Sequence, residues 1–200
     1  MFFRRLKSVF YRLITPILAA AFRGSGVVFG AGPKFYGVPL IIRHPSSTIV
    51  IGDRAILCSD SDFTALALNH RVKISTVRSG AQIQLGHDVG MSGACLVCAH
   101  QICIGSEVLM GANVLVVDTD FHPVAPLGRR FSDDANQIKT APVLVGNNVF
   151  LGAGVIILKG SRIGDDSVVA AGSVVAAGEY PAGAILAGNP ARVIGSVYGK

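Results

Sequence analysis

A large aliphatic residue returns every six positions through much of this chain. From Val145 the steps fall on Leu151, Ile157, Ile163, Val169 and Val175, all aliphatic. The residue after each is Gly146, Gly152, Leu158, Gly164, Ala170 or Ala176, small in five of the six cases. Four places after the aliphatic come Val149, Val155, Ser161, Ser167 and Ser173, small or β-branched. A helical period cannot hold this register, and two-residue alternation alone leaves the glycines unplaced. Upstream the same step links Ile104, Met110 and Val116, then Leu85, Met91 and Val97, the pair Ile51 and Leu57, and Phe29, Phe35 and Ile41. Irregular stretches interrupt it near 42–50, 58–82 and 118–142.

A short fixed period means stacked units whose apolar faces complete one another. Each hexad gives one strand and one turn, and three hexads close a triangular coil. The aliphatic points inward and stacks on its equivalent one coil away, while the small residue lets the chain bend. The pattern predicts an all-β solenoid, a parallel β-helix spanning 24–198 with a loop excursion at 118–142. Composition agrees with it. Charged residues make up 15% of the chain where about 25% is usual, which excludes a disordered tail or a solvated coiled coil. The 24 glycines speak against a helical bundle, since each costs about 1 kcal/mol inside a helix.

Residues 1–23 differ. Phe2, Phe3, Leu6, Val9, Phe10, Leu13, Ile14, Ile17 and Leu18 recur at spacings of three and four, with Arg4, Arg5, Lys7 and Arg12 mostly off that stripe. This reads as an amphipathic helix, with a bend expected at Pro16. Two roles stay open for it: a cap over the open end of the solenoid, or a basic helix lying on an anionic membrane surface. The longest uncharged apolar run, Leu13–Phe22, is about half a membrane span. No secretory leader pattern is present, so the expected location is cytoplasmic, with peripheral contact at the inner face of the membrane.

The four cysteines, Cys58, Cys95, Cys98 and Cys103, read as reduced structural thiols, because Cys95-x-x-Cys98 lacks the second pair of a zinc site. His87, His100 and His122 are not spaced by coil multiples, so no metal is expected. The net charge of +6 admits nucleic acid, an anionic membrane or a phosphorylated ligand. No basic patch interleaved with aromatics supports nucleic acid.

Four ordered pieces carry a family resemblance: the hexad array, Asp118-Thr-Asp120-Phe-His122-Pro123 at the end of a hexad, Val145 to Gly154 resuming the repeat, and Ser167 to Ser173 followed by Ala187 to Ile194. In these the chain resembles the hexapeptide-repeat acyltransferases of the left-handed β-helix fold, among them the galactoside, maltose, nodulation-factor, colanic-acid and other polysaccharide O-acetyltransferases. The resemblance is strong over 80–198 and weak over 25–80. It implies a homotrimer, with acetyl-CoA lying between neighbouring β-helices as acyl donor, and acetyl transfer to a sugar hydroxyl. Transfer to an amino sugar or a small xenobiotic remains open, as does a non-catalytic scaffold.

A sugar hydroxyl is a weak nucleophile, and its attack on a thioester needs a base; histidine suits the task. His122 falls where the repeat is about to break and matches the family's general base. Asp118 and Asp120 flank it, and either is placed to orient the imidazole; alternation puts both on one side if the strand continues. Backbone N–H groups of Gly111 or Ala112 and of Gly152 or Ala153 are candidate donors to the developing oxyanion. Ser92 falls where related enzymes carry an acceptor-binding Asn, so the acceptor contact departs from the family pattern. Asn69 and His70 are further acceptor candidates. Gly152, Ala153, Ala170 and Ala171 are small enough to let a pantetheine arm approach, and Arg192 matches a family position that meets the coenzyme. Relatives often carry Thr-Lys where this chain has Ala176-Ala177, which shifts the cationic contact toward Arg192, Lys159 or Arg162. The excursion, with Arg129, Arg130, Asp133 and Asp134, is expected to cover the acceptor and help form the coenzyme groove. On this reading the positive charge points first to coenzyme phosphates and second to the membrane surface.

Overall fold

A computed structural model describes residues 2–132 and 134–199; Asp133, counted among the loop charges, lies outside them. One helix, α1 (Phe2–Gly24), precedes short strands that wind into a three-sided parallel β-helix. Face A stacks Val28–Phe29, Thr48–Ile51, Gln82–Leu85, Gln101–Ile104, Val143–Val145, Ser161–Ile163 and Gly178–Tyr180. Face B stacks Lys34–Tyr36, Ile56–Cys58, Gly90–Ser92, Leu109–Met110, Phe150–Leu151, Val168–Val169 and Ala184–Gly188. Face C stacks Leu40–Ile42, Lys73–Thr76, Cys95–Cys98, Leu115–Val117, Ile156–Ile157 and Val174–Val175. Every third strand returns to the same face, so each side of the prism is one parallel sheet.

The inward residues form three columns. Ile51, Leu85, Ile104, Val145 and Ile163 pair in sequence on face A, and Leu57, Met91, Met110, Leu151 and Val169 on face B. Ile74, Leu96, Val116, Ile157 and Val175 do so on face C. All fifteen are 4% exposed or less, and each full burial contributes about 1.5–3 kcal/mol.

Three details depart from the hexad reading. Leu96, not Val97, enters the column, because Met91 to Leu96 is one residue short of a full step. The stretch 58–82 is not irregular throughout: Lys73–Thr76 is a strand of face C, with only Ile74 in the column to announce it. The last strand, Ala191–Ser196, runs antiparallel to Ala184–Gly188 and closes the C-terminal end of face B.

Helix α1 is continuous through Pro16 and covers the N-terminal end of the solenoid. Ala19 is 2% exposed, and Phe22 packs on Phe29 and Phe35 with ring centroids 6.1 and 6.3 Å apart. Farther along, the Phe63 ring stacks on Tyr36 at 4.8 Å, meets the Tyr11 ring at 5.6 Å, and takes the Arg4 guanidinium at 5.5 Å. Asp60 ties this end down: its Oδ2 accepts from the Tyr11 hydroxyl at 2.7 Å and from Lys7 Nζ at 3.0 Å.

Burial pushes the Asp60 carboxyl up, but the Asp62 amide, the Tyr11 hydroxyl and Lys7 together hold it below the ordinary 3.8. Burial first, and then Asp60, pushes the Tyr11 phenol up to about 12. A lowered carboxyl stabilises the fold above its unfolded value and loses that contribution as pH falls through the folded one. A raised phenol stabilises below its unfolded value and loses the contribution as pH rises through about 12. The helix is therefore held most firmly between those limits. Replacing Asp60 by Asn is expected to remove about 1–2 kcal/mol of that anchoring and to speed hydrogen exchange of the α1 amides at neutral pH. Unchanged exchange in Asp60→Asn would refute the anchor.

Candidate functional site

The excursion leaves and rejoins the solenoid at the corner between faces C and A. Strand Leu115–Val117 ends before Asp118, and Thr119 then forms an antiparallel bridge with Thr140. The Asp120 N–H donates to the Lys139 carbonyl at 3.1 Å, and the Ala141 N–H to the Asp118 carbonyl at 3.0 Å. The two ends of the loop are thus clamped side by side, and Val143–Val145 resumes face A directly against Ile102–Ile104.

His122 lies just beyond this clamp. It is exposed, and its backbone N–H donates to the Asp120 carbonyl at 2.7 Å. Phe121, immediately before it, has φ 62°. The other described non-glycine residues with positive φ are Arg54, Asp88, Glu107, Asn113, Asn148 and Asp166, all polar and all at the solenoid's corners. Phe121 alone is bulky and apolar, which costs about 1–3 kcal/mol and is characteristic of functional sites. Among the described residues the His122 imidazole has no hydrogen-bond partner, so the ring is presented to solvent.

The two aspartates do different things, because the strand ends before them and alternation no longer applies. Asp118 is fully buried. Its Oδ1 accepts from the Ala99 N–H, and its Oδ2 from the His100 and Gln101 N–H groups, each at 2.7 Å. Oδ2 also accepts from the Cys98 thiol at 3.2 Å. This carboxylate fastens the turn of the preceding coil, where Leu96 to Ile104 is two residues longer than a hexad. It is therefore occupied with the backbone and is corrected from candidate orienter to structural clamp. Burial, followed by the Asp118 charge, pushes the Cys98 thiol well up, so it stays protonated and donates.

Asp120 turns to the following coil. Its Oδ1 accepts from Lys159 Nζ at 2.5 Å, and its Oδ2 is buried with no hydrogen-bond partner. Lys159, read from sequence as a coenzyme contact, is thus committed to Asp120. That role was invisible because the two lie 39 residues apart. Arg162 stands 3.9 Å from Glu179.

The proposed acceptor residues gather elsewhere, at the corner between faces B and C. Asn113 collects them: its N–H donates to the Ser92 carbonyl at 3.0 Å and its Oδ1 accepts from the Asn69 N–H at 2.8 Å. The His70 carbonyl passes close to Gly93, where a Cβ would meet it at 2.8 Å. Sequence reasoning missed Asn113, whose signal was an Asn at a corner that needs left-handed backbone. Strand Leu115–Val117 separates this corner from His122, about 15 Å along one face. Within one chain the acceptor set and the histidine stand at opposite edges of face C.

Of the coenzyme candidates, Gly152 is small for a reason internal to the fold. A Cβ there would meet the Ala171 nitrogen of the next coil at 2.6 Å. Ala153 and Ala170 are half-buried, and Ala171 is exposed, at the same corner. Arg192 is exposed on the antiparallel closing strand and donates to its neighbour's carbonyl at 3.0 Å.

Asp118→Ala leaves three backbone amides, one buried and two part-buried, without their acceptor and is expected to destabilise the chain by about 3–5 kcal/mol. Urea unfolding measures this. In the intact protein Cys98 resists a thiol reagent; in the variant it labels. A variant as stable as the parent, with Cys98 still protected, would remove the clamp assignment.

Residues 142–177 match the family model described as bacterial transferase hexapeptide (six repeats). Over 98 residues, 49% of this chain and 44% of the relative, the sequence is 41% identical to the galactoside O-acetyltransferase of Lactococcus lactis. Over 56 residues, 28% of this chain and 23% of the relative, it is 50% identical to the 2,3,4,5-tetrahydropyridine-2,6-dicarboxylate N-acetyltransferase of Clostridium perfringens. The chain thus spans about half the length of the first and a quarter of the second. In structure it is similar to AntD, an N-acyltransferase from Bacillus cereus in complex with dTDP and 3-hydroxybutyryl-CoA, with a TM-score of 0.65 and 18% identity over 88% of this chain and 87% of that one. The solenoid therefore carries the bacterial transferase hexapeptide repeat over residues 142–177, and the curated relatives named above are acetyltransferases.

Proposed function

We propose that this chain is an acetyl-CoA-dependent O-acetyltransferase that acts on a hydroxyl of a sugar or of a cell-surface polysaccharide precursor. It works in the cytoplasm, as a homotrimer of left-handed β-helices. The observation that carries the reading is the presentation of His122: an imidazole held in solvent by a strained Phe121, on a loop base clamped to the rigid solenoid. Similarity to the galactoside O-acetyltransferase over half of this chain supports the O-acetyl reading. The shorter match to an N-acetyltransferase keeps transfer to an amino group as the second reading.

In this mechanism the His122 imidazole takes the proton of the acceptor hydroxyl as its oxygen attacks the thioester carbonyl. The Gly111 and Gly152 N–H groups, offered from sequence, already donate to the Leu151 and Val169 carbonyls at 2.8 Å, so the Ala112 or Ala153 N–H is left to receive the oxyanion. The intermediate collapses with cleavage of the C–S bond, and the imidazolium returns its proton to the leaving thiolate. Asp118 being occupied, Asp120, two residues from His122 and with one carboxylate oxygen not hydrogen-bonded, is the carboxylate left to favour the imidazolium. Gly152, Ala153, Ala170 and Ala171 form the wall along which the pantetheine arm lies, and Arg192 meets the coenzyme phosphates.

Two observations support the trimer. The acceptor corner, with Ser92, Asn69 and His70, stands across face C from His122, and a cyclic assembly sets unlike edges of neighbouring copies together. The outward row of face B is also apolar: Ile56, Leu109 and Phe150 are exposed by 39%, 56% and 46% and continue through Val168 to Ile185. Such a row suits burial against another copy.

His122→Ala is expected to lower acetyl transfer by about 10²–10⁴-fold, followed as thiol release with a panel of sugars and amino sugars. Asp120→Asn is expected to lower kcat about tenfold or more with KM little changed and to alter the pH profile. Turnover untouched by His122→Ala would sink the mechanism, and turnover only on amines would select the second reading. Phe150→Glu places a charge in the proposed interface; sedimentation velocity is expected to show a smaller species, and an unchanged one would exclude face B as the contact.

A further inference from the structure

Helix α1 has two apolar faces, and the solenoid uses one. The inner face carries Tyr11, Thr15, Leu18, Ala19 and Phe22. At about 100° per residue, Leu6, Val9, Phe10, Leu13 and Ile17 fall together on the opposite side. There they are exposed by between 55% (Phe10) and 68% (Ile17). Bare apolar surface of this kind marks an interaction site. Arg5, Arg12 and Arg23 run along one edge of it, and α1 holds five basic residues and no acidic one. The chain has 18 basic and 12 acidic residues; five of its six net positive charges therefore lie on α1.

Beneath that basic edge, between α1 and strand Lys34–Tyr36, lies a cleft of about 660 Å³. Its described lining includes Arg12, Arg23 and Lys34, over Ala19 and Phe35, and no carboxylate. Arg23 donates to the Phe29 and Gly30 carbonyls at 3.3 and 3.1 Å, which holds it in place. Among the described residues the Arg12 and Lys34 side chains have no hydrogen-bond or ion-pair partner. Two uncommitted cations thus share a cleft that opens beside an apolar helix face.

We propose that α1 and this cleft form a docking surface for a bilayer that contains anionic phospholipid. The outer residues enter the boundary between headgroups and acyl chains, and the cleft on the water side of the helix takes a headgroup phosphate. Charge complementarity selects this occupant over a neutral apolar one. Among the described residues no helix is long and apolar enough to cross a membrane, so α1 lies along the surface with its axis in the interface. The inference stands apart from the proposed acetyl transfer, and its readout is binding alone.

The test is co-sedimentation of the full chain with vesicles of phosphatidylcholine, with and without phosphatidylglycerol. Pelleting is expected only with the anionic vesicles and is expected to weaken as salt rises. Arg12→Glu with Lys34→Glu, and separately Leu13→Gln with Ile17→Gln, are each expected to lower vesicle affinity about tenfold or more. All four side chains are exposed, so thermal unfolding should match the parent. Glycerol 3-phosphate in solution is expected not to displace the vesicles. The proposal is overturned by equal pelleting with phosphatidylcholine alone, by binding indifferent to both pairs, or by displacement with glycerol 3-phosphate. It is also overturned if sedimentation velocity shows the outer face covered by a second copy, with Leu13→Gln and Ile17→Gln abolishing that association.

Discussion

Coil-on-coil register governs this molecule. Each inward aliphatic must land on its equivalent above and below, and each strand must find the same partner amides, or three sheets fail at once. The corners show how tightly the coils approach. At Gly52, Gly105 and Gly152 an added Cβ would stand 2.5–2.6 Å from an atom of the next coil, closer than any side chain tolerates. Ser161 and Ser167, fully buried at other corners, return their hydroxyls to carbonyls of neighbouring segments. With register so strict along the faces, variation is confined to the corners, where extra chain can leave and return without disturbing a column.

That confinement explains where the candidate site sits. At the C–A corner the turn lengthens in the coil that ends at Cys98, and the excursion follows one coil later. Thr76, Cys98 and Asp118 stack inside this corner as a polar column. Thr76 holds Ser47 and the His44 amide, and Asp118 holds the turn at 99–101. A buried carboxylate with three amide donors is a rigid platform, and His122 stands four residues beyond it. The loop base inherits the order of the solenoid, while the imidazole itself stays open to solvent.

The sequence revealed those parts that depend on repetition. Hexads from Val145 onward gave the columns, and the broken hexad after Val116 gave the position of His122. What stayed hidden depended on contacts between coils rather than along them. Asp118 and Asp120 look alike in a line of text, but the end of a strand at Val117 sends one into the core and the other to Lys159. Leu96 replaced Val97 in its column because a corner can shed one residue without any local signal. Asn113 joins Ser92 to Asn69 only through the fold, and the antiparallel strand Ala191–Ser196 carries no period at all. The helix was legible as amphipathic, but its second apolar face could be told from the first only once the solenoid had claimed a side.

The distribution of charge follows from the same geometry. With α1 set aside, 13 basic residues face 12 acidic ones, so the solenoid is close to neutral. Most of the basic excess therefore belongs to the helix and not to the residues that the family resemblance assigned to coenzyme phosphates. A near-neutral prism with an apolar outer row on face B suits packing against copies of itself. In a threefold assembly about an axis parallel to the prism, all N-terminal ends point the same way. Three basic helices would then share one end of the assembly, and weak contacts at each would add. The opposite ends, closed by the antiparallel strands, would carry no such charge. In such an assembly one end would meet an anionic surface, while the sides, where His122 stands, would meet neighbouring copies.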